Sequence, residues 1–314
     1  MSLIEKAAQR LDMLKQAALE QPAESDAPPQ VRKAPEPARA VAHDTEAQSS
    51  FVPRPDTHAI HNVISRTAQI DLARLAEVGM VTPDRPRSTI AEEYRVIKRP
   101  LLRNATATGP AQLDDGNLIM VSSALPSEGK TFCAINLAIS MAMELDYTVL
   151  LVDADVSRPS VLNQLGLKPE RGLMDVLAGD VTDLSDVLLR TNIEKLTLLP
   201  AGMPHARATE LLASEAMTQL LEQMSNRYPD RIIIFDSPPL LVTTESRVLA
   251  THMGQIVMVV EAERTTHATV RQALATIENC PVKLMVLNKS RERGPGSYYG
   301  YGYGYGEDVR TEAA

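Results

Sequence analysis

The stretch VSSALPSEGKTFCAINLA, residues 121–138, decides the fold of this chain. It begins in a short apolar run typical of a buried strand and ends in apolar residues at helical spacing. Gly129, Lys130 and Thr131 lie between the two, and G-K-T in that position is the end of a Walker A motif. Backbone N–H groups and the start of the following helix can then surround a phosphate. We therefore predict a phosphate-binding loop in which Lys130 reaches the terminal phosphates and the Thr131 hydroxyl binds Mg²⁺.

Carboxylates end two further apolar runs. TVLLVDADVSRP supplies Asp153 and Asp155, and RIIIFDSPP supplies Asp236. A single Asp at a strand end can simply cap the next helix or begin a turn. Ligands of open α/β sheets bind at the carboxyl ends of strands, however, so three acids facing a phosphate loop predict a site for Mg²⁺ and a nucleotide.

Apolar runs alternate with helical patterns from residue 118 onward, which predicts the fold. The predicted strands are NLIMVSS, YTVLLVDAD, LTLLPAG, RIIIFDSPP, QIVMVVEA and VKLMVLNK. Helices are expected after the first two strands, at about 209–227, 246–252 and 266–279, and, before the first strand, within 64–80 and at 88–104. Short β-branched strands between helices indicate an α/β fold, a P-loop NTPase whose mostly parallel sheet is covered on both faces.

The chain divides into four predicted parts: an N-terminal helix (1–20), a disordered linker (21–60), the P-loop domain (61–290) and a flexible tail (291–314). Ser2 and Glu5 form a capping box at the start of the helix. Its mixed charges favour a protein partner over anionic lipid, although a nascent helix without a docking site explains the pattern equally well. Proline, alanine and mixed charges without periodicity indicate disorder in the linker.

The tail, SYYGYGYGYGEDVR (297–310), holds five of the eight tyrosines and can bury no core. These tyrosines are Tyr298, Tyr299, Tyr301, Tyr303 and Tyr305. Nine residue steps separate Lys289 from Tyr298, a reach of about 30 Å when extended. The tail can therefore extend to a neighbouring molecule.

Composition excludes several classes of protein. The net charge of −8 argues against a nucleic-acid binder with a basic face. Two cysteines without a CxxC motif fit a reduced, cytoplasmic protein. The charged N-terminus does not fit a signal peptide, and the longest apolar run, CAINLAISMAMEL, is too short and polar to span a bilayer. Membrane association is expected only through a partner or a surface contact.

The combination of SALPSEGKT, LLVDADVSRP, IIIFDSPP and the tyrosine-rich tail resembles the bacterial tyrosine kinases of exopolysaccharide synthesis. These are P-loop proteins related to the ParA/MinD ATPases and unrelated to eukaryotic kinases. The N-terminal helix, the linker and EEYRVIKRPLL are similar to the freestanding cytoplasmic subgroup associated with exosortase loci. The resemblance implies an ATP-dependent protein-tyrosine autokinase that uses Mg²⁺, modifies its own tail and regulates exopolysaccharide synthesis and export.

The resemblance also implies roles for individual residues. Catalysis falls to Lys130, Asp153 and Asp155. Nucleotide binding falls to Ser127, Glu128, Gly129, Lys130, Thr131, Phe132 and Asn288, the last of these at adenine. The metal ligands are Thr131, Asp155 and Asp236, and the five tail tyrosines are the acceptors. The family's E-x-x-R-x-x-R oligomer motif falls on Glu92, Arg95 and Lys98.

One position of the loop departs from the family pattern. Ser127 stands where the family commonly has glycine in P-G-E-G-K. Because only glycine adopts positive φ freely, we expect a negative φ at Ser127.

The implied partners are a second copy of the chain in a homo-oligomer such as a ring, a membrane polysaccharide chain-length regulator as activator, and a cognate tyrosine phosphatase. No nucleic acid is expected, and recruitment would be to the inner face of the cell membrane. Two alternatives stay open: a ParA/MinD-like ATPase without protein phosphorylation, and a scaffold with an adhesive tail. Leu125 occupies the position of the second ParA/MinD lysine. Arg158 can contact phosphate or acceptor, or pair with an acid.

Overall fold

The computed structural model describes residues 66–227 and 230–291. The predicted N-terminal helix, the linker and the tyrosine tail lie outside these residues. Within them, no helix is both long enough and apolar enough to cross a membrane.

Eight strands and nine α-helices form the described part of the chain. The strands are β1 (Arg66–Ala68), β2 (Leu118–Ser123), β3 (Thr148–Asp153), β4 (Leu189–Thr191), β5 (Leu196–Leu199), β6 (Arg231–Asp236), β7 (Gln255–Glu261) and β8 (Val282–Asn288). The helices are α1 (Leu72–Glu77), α2 (Thr89–Ala105), α3 (Lys130–Ala142), α4 (Val161–Gln164), α5 (Leu173–Leu177), α6 (Ala208–Leu212), α7 (Glu215–Arg227), α8 (Glu245–Ala250) and α9 (His267–Ala275).

The strands form one sheet in the order β1-β4-β5-β3-β6-β2-β7-β8. All neighbours are parallel except β4 and β5. The six predicted strands and the mostly parallel sheet are thereby confirmed. β1 and β4, three residues each, were not predicted, because a run that short carries no measurable periodicity.

Helices cover both faces of the sheet, as the uninterrupted apolar strands predicted. In β2, Ile119 and Val121 pack into one core cluster, together with Ile135 of α3. The alternate residues Leu118 and Met120 pack into a second cluster on the opposite face. Each such fully buried side chain contributes about 1.5–3 kcal/mol, so a strand buried on both faces fixes its register strongly.

Of two predicted helices, the one at 88–104 begins as expected and the one at 209–227 differs from the structure. Helix α2 begins directly after Ser88, the first residue of the predicted range, whose hydroxyl accepts from the backbone N–H of Ala91 and caps the helix. The single helix predicted over 209–227 is instead two helices, α6 and α7. The chain turns at Ser214, whose hydroxyl accepts from the N–H of Met217 at 3.3 Å and caps the second helix.

Lys98 on α2 is buried within the chain. Its ammonium lies 2.8 Å from Glu144 Oε1 and also donates to the backbone carbonyl of Ser140. Burial lowers the pKa of Lys98 against the opposing effect of Glu144. Lys98 is thus held inside its own chain, and its predicted role at an oligomer interface stays a prediction. Glu92 and Arg95 are partly exposed and form an ion pair with each other, and their interface role stays a prediction.

Candidate active site

The phosphate loop connects β2 to α3 and meets the carboxyl ends of β3 and β6. Gly129 is the N-cap of α3 and has a φ of +97°, a conformation that favours glycine. A Cβ there would lie 2.0 Å from the Asn288 side-chain amide, so glycine is needed for space as well.

Ser127 corrects an expectation: its φ is +68°, not negative. A non-glycine residue in this region carries strain of roughly 1–3 kcal/mol and persists only when its surroundings hold it there. The surroundings supply such contacts. Lys289 Nζ donates to the Ser127 carbonyl at 2.7 Å and pairs with Glu261 at 3.2 Å. Asn288 Nδ2 donates to the Glu128 carbonyl at 2.8 Å.

The Glu128 side chain holds the loop from inside. It is buried and accepts from the N–H of Leu125 at 2.7 Å and from the Thr265 hydroxyl. The loop is therefore tied to the ends of both β7 and β8 before any ligand binds. Glu128, predicted to bind nucleotide, is placed here as a support of the loop.

The predicted carboxylates come together because β3 and β6 are neighbours. Asp153 and Asp236 occupy partner positions in the two strands. Lys130 Nζ lies 2.7 Å from Asp155 Oδ2 and 3.8 Å from Asp236 Oδ1. Thr131 donates its hydroxyl to Asp236 Oδ2 at 2.7 Å. Lysine, threonine and all three aspartates of the prediction thus form one cluster.

Charge is strongly coupled within this cluster. Burial and the charge of Asp236 raise the pKa of Asp153 to about 7, against backbone hydrogen bonds that lower it. Burial likewise raises the pKa of Asp236 to about 6, although Lys130 opposes the shift. Burial alone would lower the pKa of Lys130, but Asp236 and Asp155 outweigh it and the pKa is raised. Lys130 therefore remains a cation among carboxylates.

The cluster fits a nucleotide phosphate and a magnesium ion. Asp153 Oδ1 and Asp236 Oδ1 are buried and accept no hydrogen bond from the described residues, so they have unused ligand capacity. Mg²⁺ uses one or two carboxylates together with phosphate oxygens and water, so two such carboxylate oxygens fit it.

A cavity of about 460 Å³ opens on this cluster. The predicted residues Ser127, Gly129, Lys130, Thr131, Phe132 and Asp155 line it. Asn288 lies behind the loop, against Glu128, and its contact with adenine stays a prediction. The five acceptor tyrosines lie outside the described residues.

Sequence reasoning missed two residues of this site. The Ser160 hydroxyl lies 2.9 Å from Thr131 Oγ1, beside the hydroxyl predicted to bind the metal. Lys289 was not assigned a role, although it directly follows the selected Asn288. Only the fold brings Lys289 to Ser127, 162 residues earlier in the chain.

The sheet, the phosphate loop and the strand-end carboxylates define a P-loop ATPase. The AAA domain family matches residues 117–289, more than half of the chain. The tyrosine-protein kinase YwqD of Bacillus subtilis is 28% identical over 226 residues, which cover 71% of this chain and 91% of YwqD. The succinoglycan biosynthesis transport protein ExoP of Rhizobium meliloti is 31% identical over 233 residues, 73% of this chain.

A solved structure agrees with these matches. The chimerical protein CapA2B2 aligns with a TM-score of 0.59 and 26% identity, over 72% of this chain and 95% of that one. The chain belongs to the AAA domain family and, within it, to the bacterial tyrosine kinases. It spans nearly the whole of YwqD but only 28% of ExoP.

Lys289→Met should weaken nucleotide binding about tenfold, because a charge-assisted hydrogen bond contributes about 1.5 kcal/mol and this one holds Ser127 in its strained conformation. Titration with a fluorescent ATP analogue and Mg²⁺ measures the loss. Lys289→Arg, which keeps a donor, should lose less.

The double variant Ser127→Gly/Lys289→Met shows whether Lys289 acts by holding the loop through its hydrogen bond or by its positive charge. Glycine needs no contact to hold a positive φ, so it should recover most of the affinity. Equal affinities for the wild type and Lys289→Met would show that Lys289 does not hold the loop.

Proposed function

We propose that this chain is an ATP-dependent protein-tyrosine autokinase that phosphorylates its own tail tyrosines, in trans between two copies. The observation that carries the proposal is the meeting of Lys130 and Thr131 with Asp153, Asp155 and Asp236 at the mouth of one cavity. The tail holds five tyrosines and is long enough to extend to a neighbouring copy, so it supplies the acceptor hydroxyls of the reaction. The likeness to YwqD, a tyrosine-protein kinase by name, supports the same chemistry.

In the proposed reaction, the tyrosine hydroxyl oxygen forms a bond to the terminal phosphorus of ATP. The bond from that phosphorus to the bridging oxygen breaks, and ADP leaves with the electron pair. The hydroxyl proton goes to Asp153. Its Oδ1 has no partner among the described residues, and its Oδ2 is fixed by the N–H groups of Ser160 and Val161, both at 3.0 Å. A base with a pKa of about 7 suits proton transfer near neutral pH.

Lys130 supplies positive charge to the transferring phosphoryl group. The transition state of phosphoryl transfer is loose, so positioning and charge matter more than the strength of the base. To serve the phosphate, Lys130 must exchange its contact with Asp155 for one with ATP. Thr131, Asp155 and Asp236 would hold Mg²⁺, which when bound neutralises phosphate charge and orients ATP.

The cellular role follows from the relatives. We propose that the phosphorylation cycle regulates exopolysaccharide synthesis or export, since ExoP is named for succinoglycan biosynthesis transport. A homo-oligomer such as a ring would present tails to neighbouring sites. A membrane chain-length regulator would activate the kinase at the inner face of the membrane, and a tyrosine phosphatase would reverse the modification.

Intact-mass spectrometry after incubation with ATP and Mg²⁺ tests the function. We expect up to five phosphates per chain, mapped to the tail, and none on a variant with Tyr→Phe at all five tail positions. Phosphate release without phosphotyrosine would instead support a ParA/MinD-like ATPase. Self-association that needs no ATP and is lost on deleting residues 297–306 would support a scaffold.

A further inference from the structure

Part of the lining of the active-site cavity lies outside the phosphate loop and has no role in the proposed reaction. It contains Arg158, which follows β3, and Pro239 and Val242, which follow β6. Val242 is apolar, yet 57% of its surface is exposed. Such a side chain at the mouth of an active site is suited to contact a ligand rather than the core.

The loop that carries Val242 is held firmly at the sheet. The N–H of Leu240 donates to the Ser123 carbonyl at 2.8 Å, and the Arg247 side chain donates to the Leu240 carbonyl at 3.1 Å. The Ser122 hydroxyl donates to the Pro238 carbonyl at 2.8 Å. The exposure of Val242 is therefore built into the fold by the same strand that leads to the phosphate loop.

Arg158 is fixed beside the catalytic carboxylates in a similar way. Its backbone N–H donates to both the carbonyl and Oδ1 of Asp155, at 3.1 and 3.2 Å. Its side chain is exposed and makes no hydrogen bond or ion pair within the described ranges. The sequence left open an ion pair between Arg158 and an acidic residue. Within the described residues Arg158 forms no such pair, so its guanidinium remains available to a ligand.

We propose that Val242, Pro239 and Arg158 form an acceptor wall that docks a tail tyrosine of a second copy; this inference rests on the proposed autokinase function. The residues between the tail tyrosines are all glycines, so the site can recognise only the ring, its hydroxyl and the backbone. The exposed aliphatic side chain of Val242 offers an apolar surface to the ring, and Pro239, which is buried, contributes to the lining of the same cavity. A guanidinium is attracted to the face of a tyrosine ring, which is the role of Arg158.

The acceptor wall is tested with a synthetic peptide of residues 297–310 and the full chain carrying Tyr→Ala at the five tail positions. Val242→Asn and Arg158→Gln should each raise the KM for the peptide about fivefold to tenfold, which corresponds to the loss of one contact of modest strength. The KM for ATP should change less than twofold. Val242→Ile should keep the wild-type KM for the peptide.

Val78 provides a matched control, since it is 56% exposed and lies outside the cavity. Val78→Asn should leave the KM for the peptide unchanged. An unchanged peptide KM in both Val242→Asn and Arg158→Gln would overturn the acceptor wall while leaving the kinase function intact.

Failure of the kinase function would look different. If the enzyme with an unaltered wall phosphorylates no peptide, binding of labelled peptide in the presence of ADP and Mg²⁺, followed by fluorescence anisotropy, decides the matter. Weaker binding by Val242→Asn and Arg158→Gln would support the wall without the kinase. Equal binding by all variants, or none by any, would overturn it.

Discussion

Replacing Lys130 with methionine should abolish phosphate transfer to the tail, with a rate loss of at least about 10³-fold. Lys130 contacts Asp155 at 2.7 Å and is the positive charge closest to three buried carboxylates among the described residues. Without Lys130, the protein supplies no cation to the transferring phosphoryl group at this position. Intact mass after incubation with ATP and Mg²⁺ gives the rate, as phosphates added per chain over time.

The same substitution should also lower the stability of the ligand-free protein. Removing one partner from a buried charge cluster leaves uncompensated charge, at a cost of about 3–5 kcal/mol. Thermal melting without Mg²⁺ therefore serves as a second measurement. Lys168→Met is the control, because Lys168 is exposed and does not line the cavity. A Lys130→Met protein that labels its tail within tenfold of the wild-type rate would contradict the assigned role.

The parts of the structure that could be predicted from the sequence are those with local signals. The strands of the sheet's centre are continuous apolar runs, and G-K-T between a strand and a helix marks the loop. Asp153 and Asp236 could be assigned to one edge because the carboxyl ends of parallel strands meet there. Their side-by-side pairing needed the strand order, which no local pattern contains.

The missed features depend on contacts between distant residues. The positive φ of Ser127 is supported by Lys289, and the burial of Lys98 depends on Glu144 at the end of α3. The motif along α2 gives the spacing of Lys98, but spacing alone does not show that its side chain is buried. The five acceptor tyrosines remain a sequence prediction.

The active site holds several features that oppose stability. Ser127 is strained, Asp153 and Asp236 are buried carboxylates, and Asp153 Oδ1 accepts no hydrogen bond within the described residues. Such features persist when the rest of the fold is stable enough to tolerate them. Removing the charge of one of these carboxylates should therefore raise the stability of the protein while lowering its activity.

Asp153→Asn should lower the rate of tail phosphorylation by about 10²–10⁴-fold, the usual contribution of a general base, and at the same time stabilise the ligand-free protein at alkaline pH. Folding raises the pKa of Asp153 from 3.8 to about 7, so the folded state binds the proton more tightly than the unfolded state. The stability of the wild type therefore falls as pH rises through this window, by up to about 4 kcal/mol for a shift of this size. Asparagine is neutral throughout and removes that loss.

Thermal melting in EDTA at pH 5 and pH 8 measures the effect on stability. The melting temperatures of the two proteins should lie closer together at pH 5, and the variant should melt several degrees higher at pH 8, since 1 kcal/mol shifts Tm by about 2–4 °C in a domain of this size. Asp146→Asn, at an exposed carboxylate, should show no such pH-dependent difference. If Asp153→Asn melts at a lower temperature than the wild type at pH 8, the charged carboxylate stabilises the fold. That outcome would contradict the description of Asp153 as a base whose pKa is raised by burial.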